Sequence, residues 1–175
     1  MRKINVLHMR KIKKAVPLIE NKIKVNLSFG KGEVIVKGGE LNEFLVEKIV
    51  SAIDFGFDAE DALLLMNDDF VLEFINIKDF TNRKNLKDVR ARIIGTNGKC
   101  KKTIENLTGS VLFIRDNDVG VIVDSAHLDA VTQAIESIIQ GSKHGNVFSY
   151  LEKQGSSVRD LEDCDLGLRE GFKDG

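Results

Sequence analysis

Arg90-Ala91-Arg92-Ile93-Ile94-Gly95-Thr96-Asn97-Gly98-Lys99-Cys100-Lys101-Lys102-Thr103-Ile104 sets two glycines three apart between short segments of helical character. Without Cβ atoms, glycines let a bulky anion come close to the backbone. A helix that starts after Gly98 leaves its first N–H groups unpaired, and these point back at the glycine turn. Lys99, Lys101 and Lys102 add positive charge after the turn, and Arg90 and Arg92 add it before. The combination cradles phosphate, and Ile93 and Ile94 beside it can line an apolar groove for flat rings. A glycine pair alone is equally the mark of a capped helix pair with no ligand, so its surroundings must decide.

Two rival motifs fail on residue identity. A nucleotide-binding P-loop would need Gly at position 93 and Ser or Thr at position 100, where the chain has Ile93 and Cys100. A dinucleotide fingerprint would need G-x-G-x-x-G, which does not occur.

Outward from this stretch, the chain repeats itself. Ile19-Glu20-Asn21 recurs as Ile104-Glu105-Asn106, and Val34-Ile35-Val36 recurs as Val121-Ile122-Val123. A repeated unit should also show the same order of local signals. In the first copy, Lys3–Met9 alternates as a strand and residues 10–22 read as helical, with Pro17 restricting where a helix starts. Val25, Leu27 and Phe29 alternate, Gly30-Lys31-Gly32 turns, and Glu33–Lys37 returns. Leu41, Leu45, Ile49 and Ile53, with Phe44, Val46 and Val50 beside them, form a helical stripe. The second copy has a strand over Val71–Phe80, helical turns on both sides of Gly95–Gly98, and alternation at Ser110, Leu112 and Ile114. Asp116-Asn117-Asp118 then turns, Val119–Val123 returns, and Leu128, Val131, Ile135, Ile138 and Ile139 close with a helix. Both halves read β-α-α-β-β-α. Between them Asp58 caps a short linker helix whose acidic first turn suits the helix dipole.

Charge is segregated although the net value is −1. Residues 1–24 carry eight Lys or Arg against one acid, and residues 81–104 do the same, while residues 40–80 carry two bases against eleven acids. Two compact basic segments suit a polyanion met by one face. No apolar run approaches the roughly 20 residues a bilayer span needs. The basic N-terminus lacks the apolar core of a signal peptide. Cys100 and Cys164 lie far apart with no metal-ligand spacing, which points to a reducing, cytoplasmic compartment without a zinc site. No cofactor or metal is expected.

A GxxG turn inside a repeated β-α-α-β-β-α unit, flanked by basic residues, is the arrangement of the KH module, whose loop clamps about four nucleotides by their backbone. Positions 95–98 map onto Arg10-Lys11-Ile12-Lys13, which contain no glycine, so the first copy reads as a degenerate KH module. The expected fold is α+β, with two tandem type I KH modules, a linker helix and a C-terminal helix. The expected divisions are a module over 1–56, a linker over 57–70, a module over 71–142, a helix over 143–154 and a mobile acidic tail over 155–175.

The chain also resembles a family, the archaeal KH-domain proteins similar to the eukaryotic partner-of-Nob-one pre-ribosomal RNA-processing factors. The resemblance is carried by Asp54-Phe55-Gly56-Phe57-Asp58-Ala59-Glu60-Asp61-Ala62-Leu63 and Asp68-Asp69-Phe70-Val71-Leu72-Glu73. It continues through Arg92-Ile93-Ile94-Gly95-Thr96-Asn97-Gly98-Lys99 and Thr103-Ile104-Glu105-Asn106-Leu107-Thr108-Gly109. The resemblance implies a non-enzymatic factor of small-ribosomal-subunit maturation that binds single-stranded RNA near the 3′ end of small-subunit rRNA. It implies the alpha subunit of translation initiation factor 2 and an rRNA-processing endonuclease as partners. Family members often carry Lys where this chain has Thr96, which removes one phosphate contact, with Lys101 and Lys102 nearby to offset it.

The competing reading is a general KH RNA binder, or a protein-interaction scaffold of the translation or RNA-decay machinery, with the degenerate copy as partner surface. In that context Val111 and Phe113 point away from the module's own helices and need cover. An enzyme would need more than Asp68-Asp69, which precede a strand with no nearby His and read as a cap and turn.

Overall fold

The computed structural model describes residues 1–155. The acidic tail expected over 155–175 lies, from residue 156 onward, outside the described residues. The first half runs β1 (Arg2–Asn5), α1 (Met9–Lys22), β2 (Val25–Phe29), β3 (Glu33–Gly38) and α2 (Glu40–Phe55). A short α3 (Ala59–Ala62) continues into a 3-10 turn at Leu63–Met66. The second half runs β4 (Phe70–Asn76), α4 (Leu86–Ile94), α5 (Lys99–Thr108), β5 (Val111–Arg115), β6 (Asp118–Asp124) and α6 (Leu128–Gln140), then a helix α7 over 144–155. The fold is mixed α+β. Among the described residues, no helix is long and apolar enough to cross a membrane.

The repeat is visible in the strand order. One sheet is ordered β1-β3-β2 and the other β4-β6-β5, so the last strand of each half lies in the centre. In the first sheet β3 pairs antiparallel with both neighbours, placing Ile4 opposite Val34 and Leu27 opposite Val36.

The helices break the repeat. The first half has β-α-β-β-α instead of the expected β-α-α-β-β-α. Three residues separate β1 from α1, too few for another helix, and Arg10-Lys11-Ile12-Lys13 are good helix formers with nothing to interrupt them. The helix runs through Pro17, which forfeits the bond its N–H would have made to the Lys13 carbonyl. Burial of the stripe Ile12, Ala15 and Ile19 holds it together. The stripe on α2 is also displaced: Val46, Ile49, Val50, Ala52 and Ile53 are buried, whereas Leu41 and Phe44 are exposed near the helix start. Asp58 sits at the cap position of α3 but its side chain makes no capping bond. β4 stops at Asn76 and not Phe80, because the Asn76 side chain accepts from the Lys78 N–H and turns the chain.

Two compact units divide the chain differently from the repeat: residues 1–75 with 111–122, and residues 76–110 with 123 onward. In the first unit the core includes Ile12, Ile19, Val34, Val36, Ile49, Ile53 and Ile122, with Phe70, Leu72, Val111 and Phe113 packed against it. Val111 and Phe113 thus find the cover their outward position requires. The Phe113 ring lies 6.0 Å from Phe55 and 5.8 Å from Phe57, within the usual range for tilted aromatic pairs. Gly120 makes room for these rings, since a Cβ there would come within 2.7 Å of Phe55. In the second unit α4 packs on α5 and α6, burying Val89, Ile93, Ile104, Val131, Ile135 and Ile138.

Candidate nucleic-acid interface

The glycine turn lies between α4 and α5. Gly95 ends α4 at φ 75° and ψ 173°, a region open essentially to glycine alone, and its N–H donates to the Ala91 carbonyl at 2.8 Å. Thr96–Gly98 makes a single 3-10 turn, closed by the Gly98 N–H on the Gly95 carbonyl at 3.2 Å. Asn97 (φ 54°) and Gly98 (φ 73°) are both left-handed, and α5 then begins at Lys99.

The two glycines have different tasks. A Cβ on Gly95 would lie 2.7 Å from both the Cβ and the N of Cys100, so its missing side chain lets α5 close against the end of α4. A Cβ on Gly98 would meet nothing within 4 Å. The open approach that the spacing suggested for both belongs to Gly98.

Around the turn, Thr96, Asn97, Lys99 and Lys102 are exposed and Ile94 is 38% exposed. Lys99 and Lys102, three apart on α5, form no ion pair among the described residues, and no acid occupies the first turn of α5. Lys101 is paired with Glu105 at 3.4 Å along the helix. Arg90 is half-buried on α4.

Two expected contacts are corrected. Ile93 is fully buried beside Val89, one helical turn earlier, and cannot line a groove; Ile94 alone can. Arg92 donates to the Ser142 carbonyl at 2.6 Å, its own carbonyl is bonded to His144 Nε2 at 2.9 Å, and its buried Nε has no hydrogen-bond partner among the described residues. His144 in turn stacks on Phe148 with ring centroids 6.1 Å apart. Arg92 therefore ties the end of α4 to the start of α7 instead of reaching outward. The Cys100 thiol is buried, which raises its pKa despite the opposing charge of Arg92, so it is a packing group and not a reactive one.

One basic residue absent from the expected set, Lys87, lies near this turn along α4. Lys87, Arg90 and Ile94 follow an i, i+3, i+7 spacing along α4 that avoids the buried Val89 and Ile93, and Lys87 is exposed. That spacing is readable from sequence once Val89 is taken as the buried position. Asp68 and Asp69 stand exposed in the turn before β4, where the Asp69 N–H donates to Asn67 Oδ1 at 3.1 Å. What the site offers chemically is hydrogen-bond donors and positive charge beside an open backbone.

Comparison with known proteins gives this geometry relatives. Residues 71–156 match a family model described as the eukaryotic type KH-domain (KH-domain type I), which gives this part of the chain the KH-type fold. The chain is 32% identical to a KH domain-containing protein of Methanocaldococcus jannaschii over 112 residues, 63% of this chain and 49% of that protein. It is 28% identical to the pre-rRNA-processing protein PNO1 of Debaryomyces hansenii over 153 residues, 82% of this chain and 60% of that protein. The chain spans about half the length of the curated relatives it matches. Among solved structures it is similar to the a/eIF2alpha-aDim2p-rRNA complex from Pyrococcus horikoshii OT3. That match has a TM-score of 0.78 and 28% identity, covering 89% of this chain and 94% of that one. The resemblance to pre-ribosomal RNA-processing proteins of the KH type is thus found over the same part of the chain that carries the glycine turn.

Proposed function

We propose that the chain binds single-stranded RNA at the Thr96–Gly98 turn and serves maturation of the small ribosomal subunit, on the 3′ region of its rRNA. The observation that carries the reading is Gly98. It is left-handed, open on its outer side, and followed by Lys99 and Lys102, which form no ion pair among the described residues. Such a turn lets a phosphodiester lie against backbone N–H groups while lysines neutralise it. In this reading Ile94, Thr96, Asn97, Gly98, Lys99 and Lys102 touch RNA, with Arg90 and Lys101 at the edge. Gly95, Arg92 and Ile93 hold the turn in shape. The role is binding and not catalysis.

The biological setting is supported by the relatives. One is named a pre-rRNA-processing protein, and one is seen with rRNA and the alpha subunit of initiation factor 2. That alpha subunit and an rRNA-processing endonuclease are the partners proposed for this chain. We also read residues 1–56 as a degenerate KH module, supported by the shared strand order of the two sheets and by the absence of glycine at positions 10–13.

The test is Gly98→Asp. Aspartate is among the few residues that accept left-handed φ, so the turn survives while a carboxylate faces the phosphate path. RNA affinity should fall strongly with an unchanged circular dichroism spectrum; retained affinity would refute the site. Crosslinking in cells should return small-subunit rRNA ends, and a scatter of RNAs would favour a general RNA binder.

A further inference from the structure

The glycine turn holds positive charge that the described residues do not balance. Lys99 and Lys102 are exposed, form no ion pair among the described residues, and have no acid beside them in the first turn of α5. The acids nearest along the chain are engaged elsewhere: Asp88 accepts from the Asn85 amide at 2.7 Å, and Glu105 pairs with Lys101 at 3.4 Å. Gly98 leaves the adjoining backbone open, since a Cβ there would meet nothing within 4 Å. Such a turn accepts any extended anion, not RNA alone.

The chain supplies an anion of this kind itself. Beyond residue 155 it runs Asp160-Leu161-Glu162-Asp163-Cys164-Asp165, with carboxylates at 160, 162, 163 and 165 and no base among them. Acidic runs outside a core often serve as interaction segments. Its position along the chain suits the turn. Helix α7 starts where the Arg92 carbonyl bonds to His144 Nε2, three positions before Gly95, and covers 144–155. At about 1.5 Å per residue the helix is about 18 Å long, so residue 155 lies about that far from the junction with α4. At full extension the chain reaches about 17 Å from there by Asp160 and about 34 Å by Asp165. The acidic run therefore starts at the edge of reach and ends well inside it. The turn, α7 and the run all belong to one compact unit.

We propose that Asp160–Asp165 docks on Lys99 and Lys102 at the glycine turn and competes there with RNA, so that the chain carries its own competitor. The docking rests on charge and reach; the competition rests on the RNA reading of the turn. Exposed ion pairs are weak one by one. Tethering raises the local concentration of the run to about millimolar, so a run with an untethered Kd of about 0.1 mM lowers RNA affinity about tenfold.

Carbodiimide coupling of the full chain, which joins a carboxylate only to an amine in contact with it, tests the docking without RNA. Mass spectrometry of the monomeric product should find Asp160–Asp165 joined to Lys99 or Lys102, and added oligouridylate should suppress those links. Links scattered over the lysines of the chain, or found only between two copies, overturn the docking; links that persist in saturating oligouridylate overturn the competition. A second measurement neutralises the run in the full chain by Asp160→Asn/Glu162→Gln/Asp163→Asn/Asp165→Asn, with circular dichroism as the check of fold. Affinity for fluorescein-labelled oligouridylate, read by anisotropy, should rise about tenfold at low salt and approach the parental value as salt screens the run. Unchanged affinity at low salt overturns the competition. Gly98→Asp separates the two readings: if parental affinity is insensitive to it, the RNA reading fails, while the carbodiimide links still report the docking.

Discussion

Gly95 and Gly98 have nearly the same φ, yet substitution should separate them. Alanine at Gly95 meets both a forbidden backbone region and the Cys100 backbone at 2.7 Å, so α5 must move away from α4. Backbone strain of this kind costs about 1–3 kcal/mol and overpacking a similar amount, so Gly95→Ala should lose about 3 kcal/mol. Gly98→Ala meets only the left-handed penalty of about 1–2 kcal/mol. Urea denaturation midpoints should rank the two in that order, and equal losses would contradict the division of labour. At Thr96, exposed at the tip of the turn, lysine adds one cation beside the phosphate path. Thr96→Lys should tighten RNA binding and steepen its salt dependence by about 0.7. The spacing of the glycines was legible in the sequence, but their separate roles were not, because those depend on which one faces Cys100. Ile93 and Ile94 could have been told apart through the helical register of Val89. The role of Arg92 was not legible at all, since its acceptor is a backbone carbonyl at Ser142, fifty residues away.

At the scale of elements, strands were the readable part. Val25–Phe29 and Glu33–Gly38 follow from alternation and an intervening glycine turn, and the hairpin of β5 and β6 follows in the same way. Helix α1 was harder, because Pro17 weighs against a continuous helix locally while the buried stripe through Ile12 and Ile19 favours it through packing. Helix α2 holds a feature no periodicity shows: Glu43 is buried at a position where the stripe alone would predict an apolar residue. The Met1 ammonium bonds to it at 2.8 Å and the Gly38 N–H donates to it at 3.0 Å. These hydrogen bonds, the ammonium first, hold its carboxyl below the ordinary glutamate value against the opposing effect of burial. A carboxylate whose folded pKa is depressed stabilises the fold above its unfolded pKa, and that contribution is lost as pH falls through the folded value. Glu43→Gln should therefore lower stability at neutral pH, with the difference from the parent shrinking as the solution is acidified below the usual glutamate range. Thermal melts of both proteins across that range check the sign; a difference that grows on acidification would contradict it.

At the scale of the whole molecule, repeat and compactness cut the chain in different places. The repeat boundary falls near the linker, but Val111–Ile122 belongs to the same compact unit as residues 1–75. The reason lies in a few side chains. Phe113 packs on Phe55 and Phe57, its ring occupies the space that a Cβ on Gly56 would need, and Arg115 closes the end of α2 through the Asp54 and Phe55 carbonyls. A linear sequence displays the repeat, because repeated order is local, and hides this arrangement, because the partners lie some sixty residues apart. A fragment of residues 1–75 should consequently lack part of its own core, bind a hydrophobic dye, and melt earlier and less cooperatively than residues 1–155. Phe113→Ser in the intact chain should reproduce part of the defect. Removing a fully buried Phe side chain costs about 3–5 kcal/mol, and half-burial here brings the expected loss to about 2–3 kcal/mol. A 1–75 fragment with the melting temperature and cooperativity of the longer chain would show that Val111–Ile122, from β5 and β6, adds nothing to the first unit.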